Sequence, residues 1–246
     1  MNHKFSYSLL ASALLIASQA TVAHTRLKMP TIDENAANHG SNYNDVVIAH
    51  GCDGKDTIAN IVVFPDGVDS TVMVNGEESS KTVADYVTNW GNPVTIVKSR
   101  DVFENQEYIR NDLGTKVGFY SYNGTLTSGQ RGLLPFTTAG VVINPDSCAT
   151  SVQFKVAIFD ICQVTDVAGL TDEAAQMWIP AVGSMFEEDQ TLHGYNSPAT
   201  LTVNRTITDL PESCGTGEAV VVYPSAAQLN RDATIEINGG QVWPAP

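Results

Sequence analysis

Short runs of β-branched and aromatic residues, separated by tight-turn residues, recur along the whole chain. Turn sequences such as PDG at 65–67 and the Asn-Gly pairs at 75–76 and 123–124 divide these runs. Ten runs have strand character: 45–49, 58–64, 70–74, 93–98, 116–122, 140–143, 151–161, 199–206, 219–223 and 233–237. Many short strands with this punctuation are typical of sandwiches and barrels. The sequence therefore predicts an all-β fold, an antiparallel β-sandwich of Greek-key or cupredoxin-like type with long loops.

Helical periodicity is weak throughout the sequence. The clearest candidate is residues 171–177, where Thr171 can act as the N-cap and two acidic residues follow in the first turn. We expect at most one or two short helices.

The N-terminus has the pattern of a secretory signal. Residues 1–23 contain Lys4, an apolar run at 9–17 and small residues ending at Ala23. The run is too short to span a bilayer, which takes about 20 residues. Cleavage after Ala23 would leave a single domain, 24–246, in the periplasm, on the cell surface or secreted. A small additional lobe from about residue 211 is left open, because 211–217 could act as a hinge.

The charge of the chain restricts its partners. Thirteen basic residues stand against 27 acidic ones, giving a net charge of −14. Such a surface disfavours nucleic acid and anionic membranes, and it attracts cations. The sequence has no G-x-S-x-G motif, no Walker loop and no H-E-x-x-H motif, so no catalytic residue is marked.

The four cysteines are Cys52, Cys148, Cys162 and Cys214. An even number in an exported protein predicts two disulfides, for which three pairings are possible. A thiolate metal site would need close C-x-x-C spacing, which does not occur here.

His24 would become the first residue of the mature chain. A free α-amine and a neutral imidazole on one residue can chelate a single ion, and this nitrogen set suits Cu(II). A second imidazole would complete such a brace. The alternative is that cleavage before a histidine is a coincidence.

His50 is the best candidate for the second imidazole, because it follows a predicted strand and Cys52 fixes the turn behind it. A histidine that merely ends a strand is the competing interpretation. We interpret His39 and His193 as solvent-exposed residues of polar segments. Trp178 could lie beside an ion, although a lone tryptophan is more often part of the core.

Several segments together resemble the YcnI-like periplasmic copper-binding family. They are the predicted mature start at His24, NDVVIAHGCDG at 44–54 and IVVFPDGV at 61–68. FDIC at 159–162, followed by Trp178, is similar to that family's late cysteine and tryptophan. The resemblance covers 23–75 well and 150–182 loosely. The stretch 98–143 and the tail after residue 182 have no counterpart in it.

The resemblance implies a β-sandwich whose copper is held by the amine and imidazole of His24. His50 stands at or next to the place of the next ligand, and Trp178 packs beside the ion. It also implies a Cys52–Cys162 bridge, which leaves Cys148 with Cys214. The chain is similar as well to the methanotroph surface copper proteins of the CorA and MopE type, which bind copper with two histidines and an oxidised tryptophan (kynurenine).

The leading hypothesis is an exported, non-enzymatic copper-binding protein for copper acquisition or trafficking, with metal ligands among His24, His50 and Trp178. A copper-transport membrane protein would be its partner. Two alternatives stay open: a copper-dependent monooxygenase with an N-terminal histidine brace, and a metal-free surface sandwich that binds other molecules.

Overall fold

A computed structural model describes residues 24–35, 41–164, 170–237 and 240–244. The predicted signal at 1–23 and His39 lie outside these ranges.

The described residues form eighteen strands and two α-helices. The strands are β1 (Arg26–Leu27), β2 (Thr31–Asp33), β3 (Asn42–Ile48), β4 (Ala59–Val63), β5 (Thr71–Val74), β6 (Glu77–Glu78), β7 (Val87–Thr88), β8 (Val94–Ile96), β9 (Phe103–Arg110), β10 (Lys116–Gly124), β11 (Gly132–Thr138), β12 (Val142–Ile143), β13 (Ala149–Ile161), β14 (Ala175–Trp178), β15 (Ala199–Asn204), β16 (Glu218–Tyr223), β17 (Ile235–Ile237) and β18 (Gly240–Trp243). The helices are α1 (Val83–Tyr86) and α2 (Ala226–Asp232). The predicted all-β class is confirmed, and each of the ten predicted runs overlaps a strand.

Two sheets make up the body of the fold. One has four strands in the order β1-β3-β11-β8. The other has ten strands, with a main path β6-β5-β16-β13-β4-β10-β9, while β14 and β15 pair with β13 and β2 pairs with β15. Pairing is antiparallel as predicted, except for the parallel pairs β13–β16 and β15–β2.

Strand β13 lies at the centre of the larger sheet and is buried on both faces over its second half. Val156 and Ile158 belong to the main core, whereas Ala157 and Phe159 belong to a second core. Residues of α2, β17 and β18 contribute to that second core, including Leu229, Ile235 and Trp243. Since both faces are covered, this half of the strand, 156–161, is a continuous apolar run that only one buried carboxylate, Asp160, interrupts.

The prediction of a helix at 171–177 is wrong. Only one turn forms, in which the backbone N–H of Ala174 donates to the hydroxyl of Thr171. From Ala175 the chain is strand β14, which pairs with β13. Because all four residues of β14 are buried against that neighbour, tertiary pairing overrides the local capping signal. The longer helix is α2, where the Ser225 hydroxyl accepts a hydrogen bond from the backbone of Gln228.

Both disulfides are present with the pairing that the resemblance implies, Cys52–Cys162 and Cys148–Cys214. Two disulfides are typical of a protein from an oxidising compartment. No helix within the described ranges is both long and apolar enough to cross a membrane.

Candidate functional site

Pairing between β1 and β3 brings His24 and His50 to the same end of the smaller sheet. Arg26 stands opposite Val47 in the antiparallel register. His24 lies two residues before Arg26, and His50 lies three residues after Val47. In an antiparallel pair the start of one strand meets the end of the other, so the two histidines leave the sheet together.

The turn after His50 depends on Gly51. Residues Cys52–Gly54 form a 3₁₀ turn in which the N–H of Lys55 donates to the carbonyl of Cys52, at 2.7 Å. A Cβ atom on Gly51 would lie 1.6 Å from the carbonyl oxygen of Lys55, so no larger residue fits this turn as it stands. The disulfide from Cys52 to Cys162 then ties the turn to the end of β13 in the other sheet.

One hydrogen bond fixes which nitrogen of His50 is free. Its Nδ1 lies 2.8 Å from the carbonyl oxygen of Gly51. Since a carbonyl only accepts, Nδ1 carries the hydrogen, and in the neutral ring Nε2 is therefore the nitrogen with a free lone pair. This is the arrangement that prepares a histidine for binding a metal through Nε2.

The larger sheet contributes Trp178 and His193. Trp178 ends β14, and the backbone N–H of Met177 in that strand donates to the carbonyl of His193, at 2.9 Å. The following Gly194 has φ +95°, and a Cβ there would lie 2.6 Å from the carbonyl oxygen of Met177. Glycine thus allows this segment to run close along β14, which places His193 beside Trp178.

Three imidazoles and one indole meet at this end of the sandwich. The rings of His24 and Trp178 have centroids 4.6 Å apart, and His193 meets Trp178 edge-on at 5.0 Å. His193 also lies 5.9 Å from His50 and 6.4 Å from His24, again between centroids. We call His24, His50 and His193 the histidine cluster. His193 is exposed, as the sequence interpretation has it, but it belongs to this cluster and not to an isolated polar loop.

Trp178 forms a wall of the cluster. Its side chain is 1% exposed, and its Nε1–H donates to a carboxylate oxygen of Asp160 at 3.0 Å. Because that nitrogen is a donor and is already paired, the indole offers a flat face to His24 and no nitrogen lone pair.

Asp160 is a completely buried carboxylate beneath the cluster. It accepts hydrogen bonds from Trp178, from the hydroxyl of Thr25, which adjoins His24, and from the amide of Asn60 at 2.8 Å. Burial raises the pKa of Asp160 to about 6, although the three hydrogen bonds and the nearby His50 act in the opposite direction. The carboxylate thus links the residue that precedes β1, the tryptophan wall and the centre of the larger sheet.

A polar cavity of about 350 Å³ opens beside two of the imidazoles. Its lining comprises His50, Gly51, Gly54, Asp172, Gln176 and His193, and we call it the histidine pocket. Desolvation, followed by the neighbouring His50, lowers the pKa of His193, which favours its neutral form. A neutral imidazole is the form that binds a metal.

The two ring separations that involve His193 can be compared with those of imidazoles on one shared ion. With metal–nitrogen bonds of about 2.0–2.1 Å, two imidazoles on one ion have centroids roughly 4.5–6.3 Å apart. The separation of His193 from His50, 5.9 Å, falls within that range, and its separation from His24, 6.4 Å, falls just beyond it. Within the described residues no three His, Cys, Asp or Glu side chains already converge as a metal site, so the rings would have to turn.

Sequence reasoning singled out His24, His50 and Trp178. The structure places His24 against Trp178, and it places His50 beside His193, which lies between His50 and the other two rings. Sequence reasoning missed His193 and Asp160. A signal existed for Asp160, since a lone carboxylate in the apolar run AIFDIC at 157–162 must be buried with a partner. No sequence signal existed for His193, because its position depends on the hydrogen bond between its carbonyl and strand β14, and that segment was predicted as a helix.

No family model matches the chain, and no curated protein matches it.

Proposed function

We propose that the mature protein is exported and binds one copper ion at the histidine cluster, for copper acquisition or trafficking outside the cytoplasm. The observation that carries this proposal is that His193 lies beside both His24 and His50, with the buried Trp178 packed against His24 and His193. Nitrogen-rich sites prefer copper among the common divalent ions. The resemblance of 23–75 to YcnI-like copper-binding proteins supports the same assignment.

His24 supplies two nitrogens once the signal is removed. Its backbone nitrogen is part of a peptide bond in the full chain and becomes a free amine after cleavage behind Ala23. Together with Nε2 of His50 this gives a three-nitrogen brace, and His193 stands near enough to be a fourth donor. Such a brace exists only in processed protein, so copper binding through it depends on removal of the signal.

The first experiment defines the ligands. Copper(II) is titrated into mature wild-type protein and into His24→Ala, His50→Ala, His193→Ala and a variant with one alanine before His24. Loss of a supporting group typically costs roughly 10–100-fold in affinity. We therefore expect losses of about a hundredfold or more for His24→Ala, His50→Ala and the extension, and a smaller loss for His193→Ala.

The matched control is His39→Ala, which removes the remaining mature histidine and should leave the affinity unchanged. Unchanged affinity in both His24→Ala and His50→Ala would refute the proposal. A harmless extension combined with a large loss in His193→Ala would assign copper to the side chains without the amine. Absence of binding in the wild type would favour a metal-free surface protein.

Copper affinity should depend on pH in a defined direction. Copper binds neutral imidazole, so protons compete with it as the pH falls below about 6. We expect the dissociation constant to rise steeply between pH 7 and pH 5 in the same titrations. An affinity that stays constant over this range would argue against histidine ligands.

Processing is tested separately on protein from the native host. The first 23 residues have the pattern of a secretory signal, so we expect N-terminal sequencing to begin at His24 and the intact mass to include both disulfides. Retention of Met1 would contradict both export and the brace.

A further inference from the structure

Thr25 lies between the proposed ligand His24 and the first strand, and its side chain is buried although it is polar. Thr25 is 2% exposed, whereas His24 is exposed. The pairing of β1 with β3 begins at Arg26, so both residues precede the paired part of the chain. The ends of a chain are usually poorly ordered unless a contact ties them down. A contact that fixes Thr25 therefore decides how well His24 is held.

The hydroxyl of Thr25 makes such a contact. It donates to Oδ2 of Asp160, the fully buried carboxylate of β13. The same oxygen accepts the Nε1–H of Trp178 at 3.0 Å, while Oδ1 accepts the amide of Asn60 at 2.8 Å. One carboxylate oxygen thus holds both the residue that follows His24 and the indole against which the His24 ring lies.

The shared oxygen sets the position of His24 relative to the tryptophan wall. The imidazole of His24 has its centroid 4.6 Å from that of Trp178. A hydrogen bond to an ionised carboxylate is roughly twice as strong as one between neutral groups. Because this bond is present before any ion binds, the chain end is already ordered, and its conformational entropy is not lost at the binding step.

We propose that Thr25 is a positioning residue, whose hydroxyl anchors the mature N-terminus to Asp160 and so holds the amine and imidazole of His24 in place before copper arrives. This inference rests on the proposed copper site. It adds a second requirement to that of a free amine on the first residue: a hydroxyl on the side chain of the next one.

Copper(II) is titrated at pH 7.5 into mature wild-type protein, Thr25→Val and Thr25→Ser. Valine has the same branching as threonine but no hydroxyl. We expect Thr25→Val to lose about tenfold or more in affinity, as is typical when a group that supports a ligand is removed. Thr25→Ser keeps the hydroxyl and should stay within about threefold of the wild type.

Thr234→Val is the matched control. The hydroxyl of Thr234 donates to the carbonyl of Arg231 at 3.1 Å, and this residue lines neither the histidine cluster nor its pocket. The substitution therefore also removes one hydroxyl hydrogen bond, but away from the site, and the copper affinity should not change.

The anchor can also be measured without copper. Nitrogen-15 relaxation of the metal-free proteins gives the order parameter of the backbone amide of residue 25 on the picosecond to nanosecond timescale. We expect about 0.8 in the wild type and Thr25→Ser, and below about 0.6 in Thr25→Val. Thermal unfolding confirms that each metal-free variant is folded at the temperature of these experiments.

Three results would overturn the inference: equal copper affinity in wild type and Thr25→Val, equal losses in Thr25→Val and Thr25→Ser, or an order parameter that Thr25→Val leaves unchanged. Equal losses would mean that the size of the side chain matters and its hydroxyl does not. If the wild type fails to bind copper, the proposed function fails and the positioning role falls with it. If the wild type binds copper as tightly as Thr25→Val does, only the role of Thr25 fails, so the two failures are distinguishable.

Discussion

Asp160 is the residue on which the candidate site depends most, because it joins parts that are far apart in the sequence. Thr25 lies 135 positions away and Asn60 lies 100 positions away. All three of its hydrogen bonds come from neutral donors, so nothing in direct contact compensates its charge. A fully buried carboxylate of this kind contributes to positioning and costs stability when it ionises.

The stability of the metal-free protein should reflect this cost. Burial raises the pKa of Asp160 from the ordinary 3.8 to about 6, so between those values the folded state binds a proton that the unfolded chain does not. The free energy of unfolding contributed by this group therefore falls as the pH rises from about 4 to about 6, and it is level outside that window. Asp160→Asn stays neutral throughout. Between pH 4 and pH 6 the free energy of unfolding of Asp160→Asn should therefore rise relative to that of the wild type, by up to about 3 kcal/mol.

Urea unfolding of both proteins at pH 4, 5, 6 and 7.5 measures this difference. A stability difference that does not change with pH would mean that Asp160 titrates alike in the folded and unfolded states. If the stability gain of Asp160→Asn over the wild type instead shrank as the pH rises, the folded state would stabilise the charged form of Asp160, and its pKa would be lowered.

At the level of elements, the register of β1 on β3 explains why His24 and His50, 26 positions apart in the sequence, lie at the same end of the smaller sheet. That pairing was not predicted, because Arg26–Leu27 is too short to have a pattern of its own. The sequence did indicate that His24 could chelate an ion through its amine and imidazole, and that the turn after His50 is rigid. The rigid turn rests on Gly51 and Cys52, and it can be tested.

Gly51→Ala should disrupt the turn. The new Cβ would overlap the Lys55 carbonyl, so the backbone has to move, and overpacking of this kind costs up to about 3 kcal/mol. Since His50 adjoins this turn, copper affinity should fall as well. Gly91→Ala is the matched control, because a Cβ there has nothing within 4 Å and should change stability by less than about 0.5 kcal/mol. Thermal unfolding and copper titration compare the two, and equal effects would contradict the structural role of Gly51.

Strands with a clear apolar pattern were predictable, and strands with a polar or interrupted pattern were not. Strand β9, FENQEYIR, has only one buried residue and forms an end of the main path of the larger sheet, so hydrophobic patterning gives it little signal. Strand β11 contains Pro135, which normally argues against a strand interior. Strand β14 was predicted as helix, because Thr171 and the acidic residues after it have the pattern of a helix N-terminus. In each case pairing with a neighbour decides the structure, and pairing is a long-range property.

At the scale of the whole molecule, the candidate site lies where the two sheets are joined. His24 and His50 extend from the smaller sheet, whereas Trp178 and Asp160 belong to the larger one. The chemistry at this place was partly predictable, because the predicted cleavage site before His24, the His-Gly-Cys turn and the late cysteine can each be recognised locally. The joint itself could not be predicted, since it depends on how two sheets stack.

The two disulfides allow this arrangement to be tested, since they close comparable loops but only one lies at the site. Cys52–Cys162 has a sequence separation of 110, and Cys148–Cys214 has one of 66. Chain-entropy estimates give roughly 4–5 kcal/mol for either bridge, with measured values often lower. Replacing each pair with serine should therefore destabilise the protein to a similar extent.

Copper binding should distinguish the two bridges. Loss of Cys52–Cys162 frees the turn behind His50 from the end of β13, so the ion must order that turn when it binds, and we expect affinity to fall by about tenfold or more. Loss of Cys148–Cys214 removes a bridge that lines neither the histidine cluster nor its pocket, and affinity should stay within about twofold of the wild type. Titrations are made well below the unfolding temperature of each variant, so that both are folded. If the two variants lose affinity equally, the loss follows global stability, and the Cys52–Cys162 bridge has no specific role in holding the site.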